Sequence, residues 1–141
     1  MYLYDTNIVS ELIKVKQDSN LLSFIHSVNK AKITTYISVV SLGEIIQGIE
    51  KLKRRNDFPQ AQKLQNWYDD KLLTVINNIL PFTEDCAKVW GKLMAINPHN
   101  PIDKQLVATA MVHDLTLVTR NVKDIQATGV KFINPFVIAQ P

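Results

Sequence analysis

A chain of 141 residues fits one ordinary domain with one core, and 46% apolar against 21% charged residues excludes a disordered or fibrous protein. The lone cysteine, Cys86, excludes an intrachain disulfide and a cysteine-built zinc cluster and suits a reducing cytoplasm, while no segment reaches the roughly 20 apolar residues of a membrane span. The net charge of +3 is mild but uneven, because Lys51, Lys53, Arg54 and Arg55 crowd into one short run. A single domain over residues 1–141 is expected, and Met1-Tyr2-Leu3-Tyr4-Asp5 lacks the regions of a signal peptide, so the expected location is the cytoplasm.

Met1 to Tyr4 predicts a buried first strand that ends on Asp5-Thr6-Asn7, and Asp5 or Thr6 can cap a helix running through Leu12. Leu21, Leu22, Ile25 and Val28 share one face of a helix over Asn20 to Asn29, and the β-branched run Ile33 to Ser38 predicts the second strand. From Ser41, the residues Leu42, Ile45, Ile46 and Ile49 form an apolar stripe, which places Glu44 in the first turn of a helix closed by the basic run. Phe58 to about Asn77 predicts a second long helix that would form an αα-hairpin with it. Ile79 to Phe82 is a short strand, and Thr83 caps a helix reaching Ile96. The turn residues Asn97-Pro98-His99-Asn100-Pro101 then deliver Asp103 to the start of another helix. Leu115 to Thr119 is a buried strand, Arg120 to Asp124 is the turn after it, and Val130 to Ile133 is the last strand. Strands separated by helices imply an α/β fold with a parallel sheet.

Ligands of such sheets bind beyond the carboxyl ends of the strands. Asp5, Glu44, Asp103 and Asp124 all fall on that side. Four carboxylates in one cleft repel one another, and a divalent cation resolves the repulsion. Mg²⁺ prefers oxygen ligands and keeps several waters, which suits a phosphodiester substrate, so metal-assisted hydrolysis of a nucleic acid is the chemistry expected. Each acid also has a plainer explanation: Asp5 and Asp103 as helix caps, Glu44 as an exposed acid paired one turn along, Asp124 as a turn residue. Spacing alone leaves both open.

At these residues the chain resembles the PIN-domain family, in particular the VapC-type toxins of bacterial toxin-antitoxin pairs. Tyr2-Leu3-Tyr4-Asp5-Thr6-Asn7 is similar to the family's first strand and its Asp-Thr-Asn, and Ser41-Leu42-Gly43-Glu44-Ile45 to its glutamate helix. Asp103 to Ala110 is similar to the third motif, and Leu115 to Asn121 with Asp124 to the closing strand and turn. The resemblance implies a PIN-like three-layer sandwich and a Mg²⁺-dependent endoribonuclease, Mn²⁺ being able to substitute. Asp5 and Asp103 would bind the metal, Glu44 and Asp124 would complete the acidic site, and Asn7, Thr119 and Asn121 would orient carboxylates or the phosphate. It also implies a homodimer and a small antitoxin partner; the αα-hairpin from Ser41 to Asn77, whose apolar residues exceed what one sheet face would bury, is the candidate surface of self-association. The departures are Leu106-Val107 and Ile125, which concern packing, and Lys104, which would either tune the site or face solvent.

The run Lys51, Lys53, Arg54 and Arg55 is expected to guide RNA, against the plainer reading of a solvated helix end. Two other functions compete: a receiver-like phospho-acceptor domain, which would want an acid after the second strand where Ser38 stands, and a non-catalytic RNA-binding module, which would leave the acids unexplained. His26, His99 and His113 show no ligand spacing, and Trp67, Tyr68, Phe82 and Trp90 fall in core patterns.

Overall fold

Three residues make the central strand. In the computed structural model, which describes residues 1–137, β1 (Tyr2–Tyr4) lies between β2 (Thr35–Ser38) and β4 (Thr116–Val118). With β3 (Asn78–Leu80) and β5 (Phe132–Ile133) the sheet has the order β3-β2-β1-β4-β5, and every pairing is parallel. The domain expected over 1–141 includes residues 138–141, which lie outside the described range. The helices are α1 (Thr6–Ile13), α2 (Ser19–Lys30), α3 (Val39–Arg54), α4 (Phe58–Asp70), α5 (Leu72–Val75), α6 (Glu84–Ile96), α7 (Pro101–Val112) and α8 (Val122–Ile125).

The two-residue period of a strand divides the core into two clusters, one on each face of the sheet. Tyr4, Ile37 and Val118 meet Ile8, Val9, Leu21, Ile45, Ile49 and Leu72 on one face, so α1 to α5 cover it. Leu3 and Leu117 point the other way, into Leu106, Val107, Ala110 and Ile125 of α7 and α8. Leu3 and Tyr4 are both buried, the near-continuous apolar signature of a strand covered on both sides. The result is the three-layer α/β sandwich expected, with Cys86 fully buried as a small apolar residue. Among the described residues no helix is long and apolar enough to cross a membrane.

Several expected boundaries shift. The third helix begins at Val39, because Ser38 Oγ accepts from Val40 N at 3.0 Å and caps it. Glu44 is therefore sixth in α3, in its second turn rather than its first. The long helix expected over 58–77 stops at Asp70, and after Lys71 only the short α5 follows before Ile76 turns extended. Asp124 lies within the short helix α8 rather than in a plain turn.

Candidate active site

Sheet register builds the floor of the site. Tyr4 pairs with Val118, so the next residues, Asp5 and Thr119, stand side by side at the carboxyl edge. The chain leaves β1 toward β2 and β3 and later returns to β4 on the opposite side, which makes the β1/β4 edge the crevice where such sheets bind ligands.

Asp5 occupies the position of an N-cap, yet its side chain caps nothing. Its Oδ2 instead accepts from Thr119 Oγ1 at 2.7 Å and from Asn7 Nδ2 at 3.3 Å. Asn7 also reaches Thr119 Oγ1 at 3.3 Å and accepts from Arg120 N, while Asn121 enters through its backbone N–H, 3.0 Å from the same threonine oxygen. Asp5 and Thr119 are buried, so this network works away from bulk water and fixes the carboxylate's orientation. Burial pushes the Asp5 carboxyl above its ordinary range, the Thr119 hydrogen bond draws it back, and the charge of Glu44 adds to the rise.

Glu44 is held by Thr6, expected only as a possible helix cap, and by Ser41. Thr6 Oγ1 lies 2.6 Å from Glu44 Oε1 and 2.8 Å from Ser41 Oγ. Each hydroxyl has one proton, so Ser41 donates to Thr6 and Thr6 donates to the carboxylate. Thr6 was visible as a cap candidate within Asp-Thr-Asn, and Ser41 as a residue one turn before Glu44; the tie between them spans 35 residues and leaves no local signal.

Asp103 sits in the first turn of α7, half-buried. Its carboxyl is pushed up to about 6, first by burial and then by the charges of Asp5, Asp124 and Glu44, with Lys104 opposing. Such fields fall with distance, so Asp5, Asp124 and Glu44 lie near enough to act on Asp103. Asp124 is the exposed member, at the rim, where it shares a small cavity with Lys104, Asn97 and Thr128. Lys104 does not face solvent: it is 4% exposed, and its Nζ donates to the carbonyl of His99. Trp90 Nε1 donates to Pro101 O at 2.9 Å, so α6 and the 97–100 loop together fix the start of α7.

Among the described residues no group of three or more His, Cys, Asp or Glu side chains is placed so as to hold a metal ion. The donor set is nonetheless all oxygen and mutually repelling, which fits a hard cation held by one or two carboxylates and otherwise by water. The basic run divides: Lys51, Arg54 and Arg55 line a cavity with Gly48, whereas Lys53 pairs with Glu50 at 3.2 Å. β2 ends on the buried cap Ser38 and Val39 follows it, so no acid stands there for a phospho-acceptor.

The family model described as PIN domain matches residues 2–130. The chain belongs to the PIN domain family. Among its PIN relatives, "VapC ribonuclease Y4jK" of Sinorhizobium fredii (strain NBRC 101917 / NGR234) is 29% identical over 145 residues, with 96% of this chain and 98% of the relative covered. "Toxin FitB" of Neisseria gonorrhoeae (strain ATCC 700825 / FA 1090) is 26% identical, over 96% of this chain and 99% of the relative. The crystal structure of FitAcB from Neisseria gonorrhoeae shares the fold, with a TM-score of 0.83 at 24% identity over 98% of this chain and 100% of that one.

Proposed function

We propose that this PIN-domain protein is a Mg²⁺-dependent endoribonuclease and the toxin of a VapBC-type toxin-antitoxin pair. The observation that carries the reading is the joint field of Asp5, Asp124 and Glu44 on Asp103 at the carboxyl edge of the sheet. Asp5 and Asp103 would hold the ion, with Glu44 and Asp124 completing the acidic wall, and Mn²⁺ able to substitute. When bound, the ion supplies water activation near neutral pH and offsets charge on the scissile phosphate. The chain's own contribution is orientation. Thr119 and Asn7 hold Asp5, Ser41 and Thr6 hold Glu44, and the Lys104 tether holds the turn that presents Asp103.

The relatives' names support a ribonuclease toxin. A toxin of this kind would be paired with an antitoxin, whose restraining segment would cross the acidic site and place a basic side chain near the carboxylates. The αα-hairpin of α3 and α4 leaves Phe58 58% exposed, and Leu73 of α5 beside it is 61% exposed, which favours a homodimer through that face. The site of action would be the cytoplasm, where RNA is met and a free Cys86 is stable.

The test is cleavage of RNA by pure protein with Mg²⁺, with Mn²⁺ and in excess EDTA. Asp5→Asn and Asp103→Asn are expected to lose orders of magnitude in rate while remaining folded, and Thr119→Val about 10–100-fold, since it removes only the donor that aims Asp5. Cleavage that survives EDTA, or that both aspartate variants retain, would overturn the reading.

A further inference from the structure

Glu44, Gly48 and Lys51 follow at spacings of four and three residues, so they share one face of α3, and its C-cap Arg55 follows four residues further on. Two clefts adjoin along that face. The first, about 460 Å³, opens beside Thr6 and Glu44 between α1, α3 and α4, and is lined by Lys63, Leu64 and Gly48 among others. The second, about 470 Å³, begins at the same Gly48 and is lined by Lys51, Arg54 and Arg55. A trough therefore runs from the acidic site to the end of α3, about 16 Å at the helical rise.

Gly48 is the hinge of the observation. A glycine inside a helix is unfavourable, and packing does not require this one, because a Cβ built there would meet nothing within 4 Å. What its missing side chain provides is clearance where the two clefts join. The charges agree. Among the described residues Lys51, Arg54, Arg55 and Lys63 enter no ion pair, whereas Lys53, off the trough, is taken by Glu50, and Lys14 at the rim by Glu11 at 2.7 Å. The first cleft also has apolar wall, including Ile13, Ile45 and the 89% exposed Val15.

We propose that this trough carries a single strand of RNA away from the cleavage site, its phosphates following Lys63, Lys51, Arg54 and Arg55 over Gly48 while an unstacked base rests on the apolar wall of the first cleft. The inference rests on the ribonuclease reading above and adds the path of the substrate. A file of uncompensated cations leading from a site built for phosphate chemistry matches a polyanion. The apolar wall selects an unpaired strand, whose bases are free to turn inward, over a duplex, whose bases are stacked and paired.

The experiment measures binding of a fluorescent, unstructured oligoribonucleotide in EDTA across a salt series, with cleavage in Mg²⁺ followed separately. Gly48→Glu, which fills the trough and adds a like charge to the phosphates, is expected to weaken binding at least tenfold and raise KM, with melting unchanged or higher. The triple variant Lys51→Gln, Arg54→Gln, Arg55→Gln is expected to flatten the slope of log affinity against log salt by about two, at roughly 0.7 per single-strand phosphate contact. Lys88→Gln, a distant charge loss on α6, should bind as wild type does. Gly48→Glu binding and cleaving normally, or a triple variant with an unchanged slope, overturns the trough even if wild type cleaves RNA, and leaves that face to a protein partner. A wild type that binds through the trough but cleaves nothing in Mg²⁺ would instead remove the ribonuclease reading and keep the path.

Discussion

Asp103 is a charge that the fold resists and the proposed ion would reward. Its carboxyl is raised from 3.8 to about 6, so ionising it opposes folding. Below about pH 4 the group is neutral folded or unfolded and the penalty vanishes; stability is then lost as pH climbs to about 6, and the full cost applies above. Because the group is half exposed, water screens the effect, and about 1 kcal/mol is the appropriate scale. Asp103→Asn in EDTA should therefore melt higher than wild type above pH 6 and level with it below pH 4, by thermal scans across that window. A variant that melts lower throughout would mean that the neighbouring acids do not crowd this carboxyl. Legibility at this scale was uneven. Asp5 and Asp103 could be picked out because a strand end and a helix start are local patterns, while the hydroxyls of Thr6 and Ser41 acquire meaning only when residues far apart in sequence meet.

Elements were easiest to foresee where the chain punctuates itself. Thr83 caps α6 as its sequence suggests, its side chain accepting from Cys86 N, and the proline-rich turn hands over to α7 at Pro101. Boundaries failed where two signals competed. The apolar stripe is legible only from Ser41, but Ser38 caps the helix at Val40 N, so the β-branched Val39 and Val40 are already helical. The break at Lys71 was hidden because the apolar spacing of Leu64, Trp67 and Leu72 runs on across it. Lys104 belongs to this scale too, since its buried ammonium pins the carbonyl of His99 and so the turn ahead of α7. Asn100 in that turn has φ +54, a left-handed conformation that asparagine tolerates better than most residues. Lys104→Met keeps the aliphatic volume but frees that carbonyl, and should cost about 1–3 kcal/mol in denaturant unfolding together with a loss of kcat larger than the change in KM. Unchanged stability and kcat would show that the turn is held by its own residues.

At the scale of the whole molecule, an ion bound by the folded protein alone stabilises it by mass action, about 2.7 kcal/mol at a hundredfold excess over Kd. Melting temperature should rise steadily with Mg²⁺ for wild type and stay flat for Asp5→Asn, and parallel curves for the two proteins would place the ion elsewhere. The family and the layered architecture were legible because they rest on motif order and on strand and helix periods, but the trough along α3 was not. Its basic end is a run in the sequence, whereas its passage over Gly48 depends on α1 and α4 closing around it. The central strand has a last consequence, for synthesis. Asp5 is locked by a threonine that lies 114 residues further along, on the strand that pairs beside it. A growing polypeptide on the ribosome holds the first acid long before it has the partner that aims it, and Asp103 and Asp124 emerge late as well. Translation therefore finishes nearly the entire chain before any nuclease activity can exist, and a prematurely terminated product that lacks β4 should be harmless to the cell that made it.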